Sequence, residues 1–429
     1  MPRNGDRRVM DVPRMPTKFR TDRTDSMTEV RDLRTGVPVW ASGGHSTFAG
    51  APLLSPAKAD VVIVGSGITG ALMALAASQK GLSTIVIDRR PPAQGSTAAS
   101  TALLQFEIDT PLIRLADRVG MERASRAWLR CFHAVDDLAY LVRRLRIPCD
   151  FRQRRALYLA GETLSAVEMA EEGRQRERIG LPSTFLSAAK LRSLVGIERN
   201  AALLSDHVAD LNPVRLTLGL LRRAARAGCR IHSPVQLAEV AASGHGVQMV
   251  TSDGIELEAK ALVFATGYEL ADGVPSAGHR RTSTWAFATA PQAGALWGNG
   301  ELIWEARNPY LYLRTTADGR VLVGGEDEDF SDAATRDALL PKKIDALQKK
   351  ARQLFPTLNV DAEFAWAGTF GESENSLPSI GAIPGMPNCY AVLGYGGNGF
   401  TFAMIAAQII EAQLFCQTDP DADLFAFDR

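Results

Sequence analysis

The sequence predicts an α/β fold with a mixed α+β unit inserted into it, and three stretches carry that prediction. Residues 59–90 read ADVVIVGSGITGALMALAASQKGLSTIVIDRR: a short apolar run, a glycine-rich turn, a helical pattern stopped by Gly81, a second apolar run and an acid. Residues 283–324 are a succession of short segments with strand composition and hairpin turns. Residues 390–401 return to the first pattern, an apolar strand followed by GYGGNG and an apolar helix.

The first stretch is a Rossmann-like βαβ unit, and each glycine in it has a physical task. Gly65 permits the tight turn, Gly67 lets the backbone approach a pyrophosphate, and Gly70 lets helix and strand pack closely. Ser66, Ile68 and Thr69 complete the turn, and the helix N-terminus offers free N–H groups to phosphate. Asp88, about 20 residues beyond the turn, can accept from ribose hydroxyls, and Arg89 follows it. Strand, helix and acid at the right distances favour dinucleotide binding over an ordinary glycine-rich turn. By itself the stretch leaves NAD and FAD open.

The chain has 429 residues, enough for two domains or one large composite fold, and is 46% hydrophobic, as suits a large core. Lys+Arg and Asp+Glu are both 48, so the net charge of zero argues against nucleic acid or an anionic membrane surface as partner. The five cysteines are scattered without a CxxC and read as reduced, mostly buried thiols of a cytoplasmic protein. The six histidines show no metal-ligand spacing. The apolar segment at 400–415 is too short and too polar to span a bilayer.

Taken in order, residues 1–36 are polar and rich in Arg and Asp, and they read as a disordered extension without the apolar core of a secretory signal. Met27 lies inside it, and a translation start there would remove residues 1–26. Residues 37–40 and 48–54 read as irregular arms. After Asp88 and Arg89, Gly95-Ser96-Thr97-Ala98-Ala99-Ser100-Thr101 forms a small-residue loop that lets backbone lie against a flat or phosphorylated ligand. Thr110-Pro111 starts a helix. Residues 121–147 form a long amphipathic helix whose stripe, including Trp128, Leu138 and Leu145, is core.

Strand 157–160 and helices 164–179 and 188–195 follow. Asn212 caps the next helix, Pro213 begins it and Gly228 ends it. Residues 229–235 and 247–251 are strands, and Ser252-Asp253-Gly254 is a hairpin turn. The unbroken apolar run 261–265 is a strand buried on both faces, ended by Thr266-Gly267. In the β-rich segment, 285–289, 302–305, 310–315 and 320–324 are strands. The four acids at 326–329 read as a solvated loop, because consecutive acids rarely converge on one ion. A helix with Leu340, Ile344, Leu347, Ala351 and Leu354 on one stripe stops at Pro356. The expected domains are thus 37–150, 205–275 and 365–429 for the dinucleotide unit, and 151–204 with 276–364 for the insertion.

The C-terminal glycine turn lacks a following acid, so it need not bind a second dinucleotide. A helix N-terminus there suits an electron-rich ring, because a flavin's reduced form carries negative charge near N1 and the C2 carbonyl. From residue 59 to the end the chain resembles the D-amino-acid oxidase superfamily of FAD enzymes, with relatives such as glycine oxidase, sarcosine oxidase and γ-glutamylputrescine oxidase. The motifs carrying the resemblance are the βαβ unit, GSTAAST, DLNP at 210–213, LVFATG at 262–267, YLYLRTTADGRVLVGG at 310–325, and LPSIG with GYGGNG.

The resemblance implies a Rossmann-like FAD-binding domain with an inserted α+β substrate domain that roofs the flavin. It implies that Gly65, Ser66, Gly67, Ile68, Thr69 and Gly70 serve the pyrophosphate, and Asp88 with Arg89 the adenosine ribose. Ser96, Thr97, Ser100 and Thr101 would line the diphosphate and flavin. Val235 would meet the adenine, and Thr266 and Gly267 would close over the adenosine side. Gly396, Gly397, Asn398, Gly399 and Thr401 would face the flavin pyrimidine edge. An arginine that several relatives place before the LPSIG-like motif to hold a substrate carboxylate falls on Phe370. A lysine that sarcosine oxidase uses for oxygen falls on Leu322, and no cysteine stands where covalent flavin is attached. These departures weigh against amino-acid substrates, covalent attachment and fast reaction with oxygen.

Period-two geometry puts Tyr310, Tyr312 and Arg314 on one strand face. Facing the flavin cavity, they are the catalytic candidates, with Arg314 the remaining anchor for a carboxylate; facing solvent, they are ordinary packing. His207 is a weaker candidate base, and Trp304 and Trp366 are cavity walls or core. The expected activity is removal of a hydride from a carbon bearing an amine to N5 of non-covalent FAD. The partners are an amine or amino-acid substrate and oxygen or another electron acceptor. The alternatives are an NAD-linked dehydrogenase and a non-catalytic flavoprotein subunit.

Overall fold

In the computed structural model, which describes residues 17–19, 26–42, 48–292, 294 and 296–429, the described strands form two sheets. The first is built around Ala57–Val64, flanked in parallel by Thr84–Ile87 and Glu256–Phe264, with Arg230–His232 parallel at one edge. Side chains alternate across Ala57–Val64 as a strand requires. Val61 and Ile63 enter one core with Leu72, Trp128, Leu216 and Ile405, while Val62 and Val64 enter another with Ile85 and Phe264.

Glu256–Phe264 changes character along its length. Its first half alternates exposed and buried residues where it pairs antiparallel with Gly246–Thr251. Its second half is continuously buried where Cys389–Leu393 takes that place in parallel. This is the difference between a half-solvated antiparallel strand and a parallel strand covered on both faces. The helices Ile68–Gln79, Pro213–Arg226 and Gly399–Leu414 cover one face. Asn212 accepts from the Arg215 N–H at 3.1 Å, with Pro213 at the first helical position.

The second sheet runs Arg34–Gly36, Ala362–Ser373, His279–Thr289, Val321–Glu328, Leu311–Thr315, Leu302–Glu305, Arg152–Leu159, Ala201–Asp210 and Leu103–Leu104, with Ser183–Ser187 beside Ala201–Asp210. It takes in strands on both sides of the boundaries drawn at 205 and 365. The helix Ala333–Leu354 packs Ile344, Leu347, Ala351 and Leu354 against Trp285, Phe287 and Val323. Its stripe is the one read from the sequence.

Two expectations are corrected, and one strand is added. Residues 1–36 are not all disordered. Residues 1–16 and 20–25 lie outside the described residues, but Thr17–Phe19 pairs with Leu237–Ser243. Met27 is fully buried, its N–H donating to Leu237 O at 2.8 Å. Arg34–Gly36 pairs with Ala362–Ser373. Polar composition here hid a strap tied down by long-range backbone–backbone bonds, among them Met27 to Leu237, Glu29 to Leu270 and Thr369 to Leu33. The acids at 326–329 are not one solvated loop. The strand runs through Glu328, and Glu326 is buried against Lys343 and Lys350, ion pairs that no local pattern discloses. The ten-residue strand Ala201–Asp210 was not legible, because its apolar residues do not alternate regularly.

Candidate active site

One cavity, of about 1780 Å³ counting its open mouth, runs between the two sheets. Its first end is built by the opening βαβ unit. Gly65 has φ +111°, and a Cβ there would lie 2.3 Å from Ala265 O. A Cβ on Gly70 would lie 1.9 Å from Gly65 O, so this glycine lets the helix sit on the turn. A Cβ on Gly67 would meet only Thr97 Oγ1, at 3.1 Å. Gly67 thus leaves its backbone open to the cavity, with Thr97 beside it. Thr97 Oγ1 accepts from the Ile68 N–H at 3.1 Å, and the Thr69 hydroxyl lies 3.0 Å from Tyr395 OH.

Asp88 is held by its neighbours. Oδ2 accepts from the Ser66 N–H and hydroxyl, both at 2.7 Å, and Oδ1 accepts from the Arg90 N–H at 2.8 Å. Arg90 in turn forks onto Glu269 at 2.6 and 2.7 Å. The strap closes this end. Thr28 and Leu33 line the cavity, Thr28 bonds Arg89, and the Arg31 N–H donates to Glu269 at 2.8 Å.

The residues expected at a cofactor divide into two groups. Gly65, Gly67, Ile68, Thr69, Asp88, Arg89, Ser96, Thr97, Ser100, Thr101, Val235, Thr266, Gly267, Gly396, Gly397, Asn398 and Gly399 all line the cavity. Ser66, Gly70 and Thr401 are not among the lining residues; the Thr401 hydroxyl donates to Gln105 O at 2.6 Å and pins the terminal helix from behind. Asn398 lines the cavity with its side chain directed to Glu107 O at 2.6 Å. An elongated cavity with an acid-bearing end, a bare Gly67 and a Ser96 hydroxyl lacking any partner among the described residues fits a dinucleotide.

At the other end the walls are aromatic. Tyr310 and Tyr312 line the cavity with ring centroids 5.8 Å apart, together with Tyr268, Trp304, Trp366 and Phe370. Trp304 stacks on Tyr158 at 3.7 Å. Tyr312 has room only because its neighbour is Gly324, where a Cβ would sit 2.2 Å from the Tyr312 hydroxyl. Burial and the nearby Asp327 charge hold both phenols above their usual range. Burial likewise pushes the Asp327 carboxyl up to about 7.

Arg314 is a correction. It is buried at 2% exposure and absent from the cavity wall. Nη2 donates to Leu211 O at 2.9 Å, Nη1 lies 3.6 Å from Asp210 Oδ1, and the guanidinium lies over Trp40. Burial lowers it to about 10 against the pull of Asp210. Alternation correctly groups it with the two tyrosines, but the strand carries it past the end of the cavity. His207 is also elsewhere, half-exposed and 3.3 Å from Asp136. Leu322 is buried in an apolar cluster with Trp366.

The acid that sequence reasoning missed is Asp109. Its Oδ2 accepts from the Gly397 N–H at 2.7 Å, bringing a carboxylate onto the GYGGNG turn. It faces open cavity, but the protein packed around that wall pushes it up to about 6, against the downward pull of the Gly397 bond and with Glu372 adding to the rise. Only the Thr110-Pro111 helix start marks its neighbourhood in sequence. Among the described residues no group of side chains is arranged to hold a metal ion, and no helix is long and apolar enough to cross a membrane.

Comparison with known proteins bears directly on this cavity. The family model described as FAD dependent oxidoreductase (DAO) matches residues 60–413. The chain is similar to a probable oxidoreductase OrdL of Haemophilus influenzae, 22% identical over 85% of each chain. It is similar to gamma-glutamylputrescine oxidoreductase of Escherichia coli, 24% identical over 82% of each. Among solved structures, glycine oxidase from Geobacillus kaustophilus superposes with a TM-score of 0.68 at 18% identity, covering 85% of this chain and 96% of that one.

Proposed function

The chain belongs to the DAO family of FAD-dependent oxidoreductases, and we propose from that premise that it oxidises an amine at the carbon bearing the nitrogen. The observation that carries this reading is the aromatic end of the cavity, which meets the helix-terminal glycine turn and, among the described residues, offers no cation for a carboxylate. FAD, when bound, supplies the acceptor for the hydride and its two electrons. Gly65, Gly67 and the N-terminus of Ile68–Gln79 would hold its phosphates, and Asp88 its ribose.

The chain's own part is binding, orientation and exclusion of water. Trp304, Tyr310, Tyr312 and Phe370 enclose the substrate carbon. The reacting nitrogen must be unprotonated, so that its lone pair can form the C=N bond as the C–H bond breaks. The second sheet roofs this end and keeps bulk water from the imine until it leaves. That supports catalysis over a carrier role, since a non-catalytic flavoprotein subunit has no use for a walled space beside the ring.

The test is an anaerobic titration of the yellow protein with amines and amino acids, read as bleaching of the visible flavin band. Simple amines or N-substituted amines should bleach it faster than glycine or small D- or L-amino acids. Faster bleaching by an amino acid refutes the amine reading, and a yellow protein that no amine bleaches refutes catalysis.

A further inference from the structure

Among the described residues, a single charged side chain, Asp109, lines the cavity at its aromatic end. The other charged residues on the wall, Asp88, Arg89, Arg90 and Glu269, are gathered at the strap end and bonded to one another or to neighbouring backbone. Among the described residues, no Lys, Arg or His lines the space around Tyr310, Trp304 and Phe370. Arg314 is spent on Asp210 and Leu211. Glu372, nearby, is paired with Arg280 at 2.8 Å and does not line the cavity.

Asp109 is different. Oδ2 takes the Gly397 N–H, while Oδ1 accepts no hydrogen bond among the described residues. It lies close enough to Tyr310 and Tyr268 for its charge to help raise both phenols. A carboxylate with a free oxygen, set among aromatic rings and away from any cation, attracts positive charge twice over. The oxygen offers a charge-assisted hydrogen bond or ion pair, and the ring faces offer cation–π attraction. The same wall repels a carboxylate, which would be desolvated there without a partner.

We propose that Asp109 is the specificity-determining residue of this cavity and that the substrate is a cationic amine, with a positively charged nitrogen held between the Asp109 carboxylate and the Tyr310 and Tyr268 rings. The inference rests on the amine reading above and deepens it. The bound charge belongs to a second nitrogen of the substrate, as in a diamine or an N-substituted diamine, so the nitrogen that is oxidised stays free to be neutral. Monoamines would fill the aromatic wall alone, and α-amino acids would bring a carboxylate against Asp109.

The experiment uses the FAD-loaded full chain and follows the flavin spectrum as butyltrimethylammonium or butyrate is added. The quaternary cation has no lone pair and is not oxidised, so binding is read without turnover. The wild-type protein should bind the cation at least about tenfold more tightly than butyrate, and Asp109→Asn should remove that preference while Asp109→Glu keeps most of it. Diamines should bleach the wild-type flavin at lower concentration than monoamines of equal length. Tighter binding of butyrate by the wild type overturns the inference even if Asp109→Asn fails to load FAD. So does an Asp109→Asn protein that loses FAD affinity but keeps its cation preference, because Asp109 would then serve the cofactor. Bleaching by amines with no effect of Asp109 defeats this inference alone. Cation binding without bleaching by any amine defeats the functional reading alone.

Discussion

Gly67 and Gly70 stand three residues apart in one motif, yet their surroundings predict opposite defects when each becomes alanine. At Gly67 the backbone is extended, φ −74° and ψ −170°, which alanine adopts without strain. Its new methyl would meet only Thr97 Oγ1, at 3.1 Å. Loss of glycine's unfolded-state freedom contributes about 0.4–1 kcal/mol in favour of folding. The close hydroxyl contact takes back a few tenths, so the cofactor-free protein should unfold within about 0.5 kcal/mol of wild type. The methyl instead fills the space kept for phosphate. Weakening even one charge-assisted backbone contact costs about 1.5–3 kcal/mol, roughly a 10- to 150-fold rise in the Kd for FAD.

At Gly70 the methyl would lie 1.9 Å from Gly65 O, where real contacts stay above 3.0 Å, so helix and turn must part by at least 1.1 Å. Such overpacking costs about 3 kcal/mol or more, offset by about 1 kcal/mol of helix propensity, for a net loss of about 2 kcal/mol in the cofactor-free protein. Urea unfolding without FAD reads stability, and quenching of FAD fluorescence reads affinity. If Gly67→Ala destabilises the cofactor-free protein as much as Gly70→Ala does, or binds FAD as wild type does, the division between a phosphate glycine and a packing glycine is wrong.

Four further outcomes follow. Arg314→Leu should cost about 1–3 kcal/mol of stability, because Leu211 O loses its donor while Asp210 keeps Arg152 at 2.7 Å and Arg154 at 3.0 Å; the amine concentration for half-maximal bleaching should not move, and a tenfold change would restore Arg314 to the substrate. Acid precipitation should release all the FAD to the supernatant, since among the described residues no cysteine or histidine lines the cavity, and colour left in the pellet would contradict this. A chain starting at Val37 should lose FAD affinity at least about tenfold relative to one starting at Ser26, because Thr28 and Leu33 leave the wall; equal affinities would make the strap dispensable. Binding of butyltrimethylammonium should strengthen as pH rises through about 6, because the protein packed around the cavity wall raises Asp109, which faces the open cavity, so that it is neutral below that value and charged above it. Asp327, at about 7, lies nearby, so the profile should flatten in Asp109→Asn, and a profile unchanged in that variant would assign the titration to Asp327.

The sequence by itself determined the βαβ unit, the tight turn at Gly65, the close packing at Gly70, the position of Asp88 after the second strand, the terminal glycine turn and the family. These are short-range matters. Positive φ, helix caps and the switch between period two and period 3.6 are set by residues a few positions apart, and a phosphate cradle is made from one turn and one helix end. Alternation also put Tyr310 and Tyr312 on the wall. It erred at Arg314, because a strand's period says which face a residue shares but not where the cavity stops. Only the tertiary structure joined Asp109 to Gly397, 288 residues away, laid residues 26–36 across the cofactor end, and set Gly324 beneath the Tyr312 ring. Those contacts depend on the register of strands brought together from distant parts of the chain, and no local pattern of apolar and polar residues encodes which carboxylate a cavity will receive.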